Sequence, residues 1–243
     1  MRAVALIAGA LALCGAAFAA DSAAIDAGAE QVRGEYQAAI DRAVAIGETR
    51  WAFTLTYVDQ SSDETKTYKL RFDPRRPSGD RWSAVEPPAD LLSKGEKKAF
   101  KRISSNDDAD AALVYDNLAE TSADLTLISA DATEAVFEIP VDDPEMPEKA
   151  RAALVATARL DRKAGHVSLI EVEAKSSFKP ALVARIDMLR QVQRFAPAGP
   201  GGEILLVSSD TESAGEAMMK SFHSKARATY SDFEPVSAAP RDH

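Results

Sequence analysis

The spacing of apolar residues changes period several times along the chain. From Asp21 to Ile46 they recur every three or four positions, at Ile25, Val32, Tyr36, Ala39, Ile40, Ala43 and Val44. That spacing gathers them on one face of a helix. Asp21 or Ser22 is placed to cap the start, and Gly47 to end the helix in the left-handed conformation. At Trp51 the period drops to two. Trp51, Phe53, Leu55 and Tyr57 alternate with Ala52, Thr54 and Thr56, and Tyr68, Leu70 and Phe72 alternate with Lys69 and Arg71. An antiparallel hairpin with one buried face is predicted, turning at 60–64.

Pro74 and Pro77 break the pairing in a charged loop at 73–82, and Pro87-Pro88 breaks it again. Ser93 and Glu96 have the spacing of a capping box. They start a short helix with Phe100 and Ile103 on one side and Lys94, Lys97, Lys98, Lys101 and Arg102 around the rest. A polar loop at 104–110 precedes a short helix at 111–120 carrying Leu113 and Leu118. Strands are predicted at 125–129, at 134–140 with Ala135, Phe137 and Ile139 inward, at 154–160 and 167–174 around a turn at 161–166, at 182–195, and at 204–208. Residues 142–147 and 197–202 read as turns. Glu212 to Phe222 suits a helix by composition and a strand by its place in the order, and strand is preferred. The sum is an α+β chain: a long N-terminal helix, about 8–10 strands joined mostly by hairpins, and short helices. Helices and strands do not alternate, so a doubly wound parallel sheet is excluded.

The first twenty residues belong to a different logic. Arg2 precedes an uncharged apolar run from Ala3 to Ala17, and Ala17-Phe18-Ala19 offers small residues at a cleavage site. This is the pattern of a secretory signal peptide cut near Ala19/Ala20, and the run is short of the roughly 20 residues needed to span a bilayer. Cys14 follows a large Leu13, unlike a lipidated lipoprotein Cys, and leaves with the signal. One domain is then expected over 21–236, with a flexible tail at 237–243. Removal of residues 1–20 leaves 223 of the 243 residues, shifts the net charge from −9 to −10 and removes the single Cys. A cysteine-free secreted chain suits the oxidising periplasm, and its acidity argues against a broad grip on nucleic acid.

Candidate chemistry is sparse. His166, His223 and His243 stand apart from one another, so no metal site is expected. His166 falls in a hairpin turn, where exposure is normal. No nucleophile elbow occurs, and Gly199-Pro200-Gly201-Gly202 precedes a strand, not a helix, so it is no phosphate loop. No catalytic residue, cofactor or enzymatic activity is expected. The concentrated resource is aromatic: Trp51, Phe53, Tyr57, Tyr68, Phe72 and Trp82 lie within 32 residues. With Leu55, Leu70 and Phe137 they form the candidate ligand-binding set. The same alternation serves plain core packing or a concave face that holds an apolar ligand.

Several strings carry a resemblance. W-A-F-T-L-T-Y at 51–57, R-F-D-P-R-R-P-x-G-x-R-W at 71–82, Y-D-N-L-A-E at 115–120, L-D-R-K-A-G-H-V at 160–167 and Y-S-D-F-E-P-V at 230–236 follow a signal peptide and a long helix. In this order they resemble the LolA/LolB-like periplasmic lipoprotein-carrier superfamily over most of residues 22–236. The resemblance implies an antiparallel half-open β-barrel with helices over its concave face, and a lipid or acyl-chain ligand. The expected function is therefore a periplasmic binding protein for a lipid or other apolar molecule. The alternative is a cell-envelope interaction module with a filled core, which binds a protein partner through the Arg75-Arg76 loop and the basic stretch from Lys94 to Arg102.

Overall fold

The computed structural model describes residues 11–61, 65–119, 125–141, 146–181 and 184–236; side chains before Gly28, and those of Arg102 and Ala181, lie outside that description. The elements are α1 (Leu11–Gly47), β1 (Arg50–Asp59), β2 (Lys66–Phe72), β3 (Trp82–Glu86), α2 (Lys94–Ile103), two 3-10 turns (Ala109–Leu113 and Asp116–Ala119), β4 (Thr126–Ala130), β5 (Glu134–Ile139), α3 (Glu148–Arg151), β6 (Leu154–Asp161), β7 (His166–Ala174), β8 (Phe178–Ala181), β9 (Ala184–Pro197), β10 (Ile204–Ala217) and β11 (Lys220–Val236).

All eleven strands join one antiparallel sheet in the order β3-β2-β1-β11-β10-β9-β7-β6-β5-β4, with β8 added to β9. The first strand pairs with the last, which brings the two ends of the domain together mid-sheet. β3 and β4 remain edges, so the sheet curls without closing into a barrel. Alternation decides the inner face. Leu55 lies opposite Leu70 and Tyr230, and Tyr57 opposite Tyr68 and Ala228. On the other half Phe137 faces Ala158 and then Ile170, and Ile139 faces Ala156 and then Val172. α1 lays Val32, Tyr36, Ala39, Ile40 and Ala43 into this face, all buried. The Tyr36 ring stands 4.6 Å from that of Phe137. Each large side chain removed from water here contributes roughly 1.5–3 kcal/mol.

The α+β architecture agrees with the sequence reading, and several details differ. Among the described residues eleven strands form where eight to ten were expected. The segment 212–222 holds a hairpin: β10 runs to Ala217, Met218 and Met219 turn, and β11 begins at Lys220. α1 starts at Leu11, so Asp21 and Ser22 lie inside the helix and do not cap it. Val44 is 42% exposed, off the buried stripe. Gly47 is not in the left-handed region; it ends the helix where Asp116 packs so closely that a Cβ would lie 2.2 Å from the carboxylate. The expected helix at 111–120 is replaced by the two 3-10 turns, because Val114 adopts an extended backbone between them. His166 opens β7 and is buried at 8% exposure, not displayed in the turn. The capping box forms as its spacing predicts, with Ser93 and Glu96 each accepting the other's backbone N–H. Residues 1–10, within the expected signal peptide, and the expected tail at 237–243 lie outside the described residues.

Candidate functional site

The aromatic set is packed solid. Trp51, Phe53, Leu55, Tyr68, Leu70, Phe72, Trp82 and Phe137 are buried in the main core, and Tyr57 is half-buried against it. The Phe53 ring centroid lies 5.2 Å from that of Phe72, 5.6 Å from Trp82 and 5.7 Å from Tyr230. Tyr57 and Tyr68 stand 6.5 Å apart. These are the separations of aromatic pairs that stabilise one another. None of the nine residues lines the cavity described next.

A cavity of about 500 Å³ opens on the other half of the same concave face. Its floor is Ile139 of β5, Ala156 of β6, Ile170 and Val172 of β7, and Gln193 and Phe195 of β9, continued by Pro140 and Val141 beyond β5. Its roof is the pair of 3-10 turns and the residues between them: Ala111, Ala112, Val114, Tyr115, Asn117 and Leu118. The space exists because alanines stand at three lining positions where larger side chains would reach across. Among the described residues no charged side chain lines it. Polar groups come from Asn117, Gln193 and Tyr115, and the two amides make no side-chain hydrogen bond to a described residue. A volume in the range of small-molecule sites, walled by apolar groups with a few polar ones, suits a neutral and largely apolar ligand.

The roof is staked at both ends. At its start, the Arg50 guanidinium donates to both carboxylate oxygens of Asp110, from Nε at 2.5 Å and Nη2 at 2.9 Å. The Trp51 N–H donates to the same carboxylate at 3.1 Å. Both side chains are buried, so this bidentate contact is of the strong, charge-assisted kind. The preceding loop is tied to the segment 78–82. Arg81 donates to the Asp107 carbonyl at 2.7 Å, and the Trp82 indole N–H to that of Asn106 at 2.8 Å. The Ser78 hydroxyl and the Gly79 N–H hold the Asp107 carboxyl below its ordinary pKa. At the far end, Tyr115 accepts a hydrogen bond from the buried Val167 N–H at 3.3 Å and meets the Phe195 ring edge-on at 5.0 Å. Burial holds the Tyr115 phenol above its ordinary pKa. Asp116 packs on Gly47 at the end of α1.

None of the lining residues was a sequence-level site candidate; Ile139 was expected only as an inward strand residue and Leu118 only as an apolar residue of a short helix. The signal available was the smallness of Ala156 within an otherwise alternating strand, and an isolated Gln193 on an inward position. Neither shows that two short turns fold over them. Among the described residues no group of three or more His, Cys, Asp or Glu is placed to hold a metal ion. No described helix is long and apolar enough to cross a membrane.

No protein-family model matches the chain, and no curated protein matches it. Among solved structures it is similar to the crystal structure of a LolA superfamily protein from Nitrosomonas europaea, at 12% sequence identity and a TM-score of 0.41. The match spans 84% of this chain and 94% of that one.

Proposed function

We propose that this chain is a periplasmic binding protein that holds a lipid acyl chain or another neutral apolar molecule in the roofed cavity, and performs no chemistry on it. The observation that carries the reading is the cavity itself: about 500 Å³ on a concave sheet face, lined among the described residues by mostly apolar side chains and no charged one. Asn117 and Gln193, whose amides make no side-chain hydrogen bond to a described residue, orient an uncharged polar group of the ligand, such as an ester. The leader-like first twenty residues support export to the periplasm. The test is native mass spectrometry of protein purified from its own periplasm, with displacement of a fluorescent fatty-acid probe. A co-purified lipid that the probe displaces is expected. Protein that carries no lipid and binds no probe overturns the reading.

The packed aromatic half favours a second reading, an interaction module of the envelope. Its charged loop, however, is largely satisfied within the chain. Arg75 pairs with Asp73 at 2.8 Å and Glu234 at 2.7 Å, and Arg71 pairs with Glu234 at 3.2 Å. Such exposed pairs are neutralised locally, so this loop keeps little charge for a partner.

A further inference from the structure

Helix α2 carries a charge distribution that neither the core nor the cavity explains. At 3.6 residues per turn, Lys94, Lys97, Lys98 and Lys101 fall within one arc of about 100°. Ala99, Phe100 and Ile103 occupy the opposite side and are half-buried against the core. All four lysines are exposed, and none makes an ion pair with a described residue. The acidic group within the helix, Glu96, is turned back to the Ser93 N–H by the capping box. The chain as a whole has a net charge of −9, so this stripe runs against the average. The segment leading into the helix adds exposed apolar surface, with Leu91 at 71% and Val85 at 46% exposure. Most large apolar side chains in the described structure are covered; Leu91 lies three residues before Lys94.

We propose that this face docks on an anionic phospholipid bilayer, with the lysines at the phosphates and Leu91 in the headgroup–acyl boundary. Charge complementarity selects the occupant. A bilayer interface offers phosphates to the lysines and an acyl boundary to Leu91 together. The docking goes beyond the cavity reading and does not depend on it, since a protein with an empty or blocked cavity still presents the same stripe. A binding protein for an apolar molecule would gain from it a place to load and unload.

The test is co-sedimentation of the full chain with vesicles of phosphatidylcholine alone and of phosphatidylcholine mixed equally with phosphatidylglycerol. Binding to the mixed vesicles, weakened by salt, is expected. Each lysine near such a surface is worth about fivefold in partition, so K94Q/K98Q should lose about 25-fold. K97Q/K101Q on the same arc should lose as much, and serves if the first variant folds poorly. Leu91→Ser should weaken binding severalfold without changing its salt dependence. Equal partition into both vesicles, or variants that bind as the parent does, overturns the proposal. So does binding to a polyglutamate matrix without binding to the mixed vesicles, which would assign the stripe to an acidic protein.

Discussion

Replacement of Asp110 tests whether the roof over the cavity is held by a buried ion pair. The Asp110 side chain is fully buried, the Arg50 side chain is 6% exposed, and three hydrogen bonds converge on the carboxylate. Asp110→Ala leaves the guanidinium buried with only the half-exposed Asp108 at 3.3 Å. Breaking a buried pair in this way costs about 3–5 kcal/mol, well above an exposed bridge at about 0–1 kcal/mol. Asp110→Asn keeps an acceptor for the Trp51 N–H and should cost about 2 kcal/mol, near the worth of the lost charge-assisted bonds. Arg50→Met with Asp110→Leu removes both charges, leaves the Trp51 N–H without its acceptor, and should cost about 1–3 kcal/mol. The Arg50→Met and Asp110→Leu singles each break the pair at about 3–5 kcal/mol, so their sum exceeds the double by a coupling of at least about 3 kcal/mol. Urea unfolding, with the slope held constant, gives each value. Hydrogen exchange of the amides at 111–118 should accelerate in Asp110→Ala beyond the global loss. A single-variant cost under about 1 kcal/mol, or strictly additive singles, would refute the reasoning.

Three further perturbations follow from local physics. Met218 and Met219 both have positive φ, 51° and 63°, in a two-residue turn between Ala217 and Lys220, and both are exposed. Left-handed backbone costs a side-chain-bearing residue about 1–2 kcal/mol, so M218N/M219G should raise stability by about 1 kcal/mol in thermal unfolding; a fall would contradict the strain. The Tyr36 hydroxyl is buried and makes no hydrogen bond to a described group, so Tyr36→Phe should gain about 1 kcal/mol in urea, and a loss of that size would show a partner. Burial raises the phenol pKa of both Tyr36 and Tyr115. Their contribution is therefore fully present below the unfolded value near 10 and is lost as pH rises beyond it. The urea midpoint should fall as pH rises past about 10, less steeply in Tyr36→Phe; identical slopes would remove Tyr36 as a cause.

The sheet was legible because alternation over five or more residues leaves little freedom. A one-residue slip at Leu55 or Phe137 would turn every buried side chain to water. The α2 cap was equally local, since the Ser93–Glu96 spacing specifies its own hydrogen bonds. Three features were not legible, and each depends on distant partners. Asp110 bends its segment into a 3-10 turn because Arg50, 60 residues away, holds its carboxylate. His166 is buried by the sheet although its neighbours read as a turn. The β10–β11 hairpin turns on two methionines, which no turn preference nominates. The cavity follows the same rule: alternation nominates the inward residues, but whether that face is filled is decided by what folds over it. At Phe53 the rings of Phe72 and Trp82 fill it; at Ala156 a roof leaves it hollow.

The most direct test of the ligand reading is to fill the cavity and leave the fold intact. Val172→Phe, on the half-buried floor, and Ala156→Leu, beside it in register, both push side chains into the open space. Titration of a fluorescent fatty-acid probe, with circular dichroism and the unfolding midpoint as fold controls, should show binding by the parent chain. It should show at least a tenfold loss in either folded variant, and unchanged binding in Tyr57→Leu on the packed aromatic half. Equal probe affinity in the parent and the filled variants, or a loss confined to Tyr57→Leu, would contradict the assignment of the ligand to this cavity.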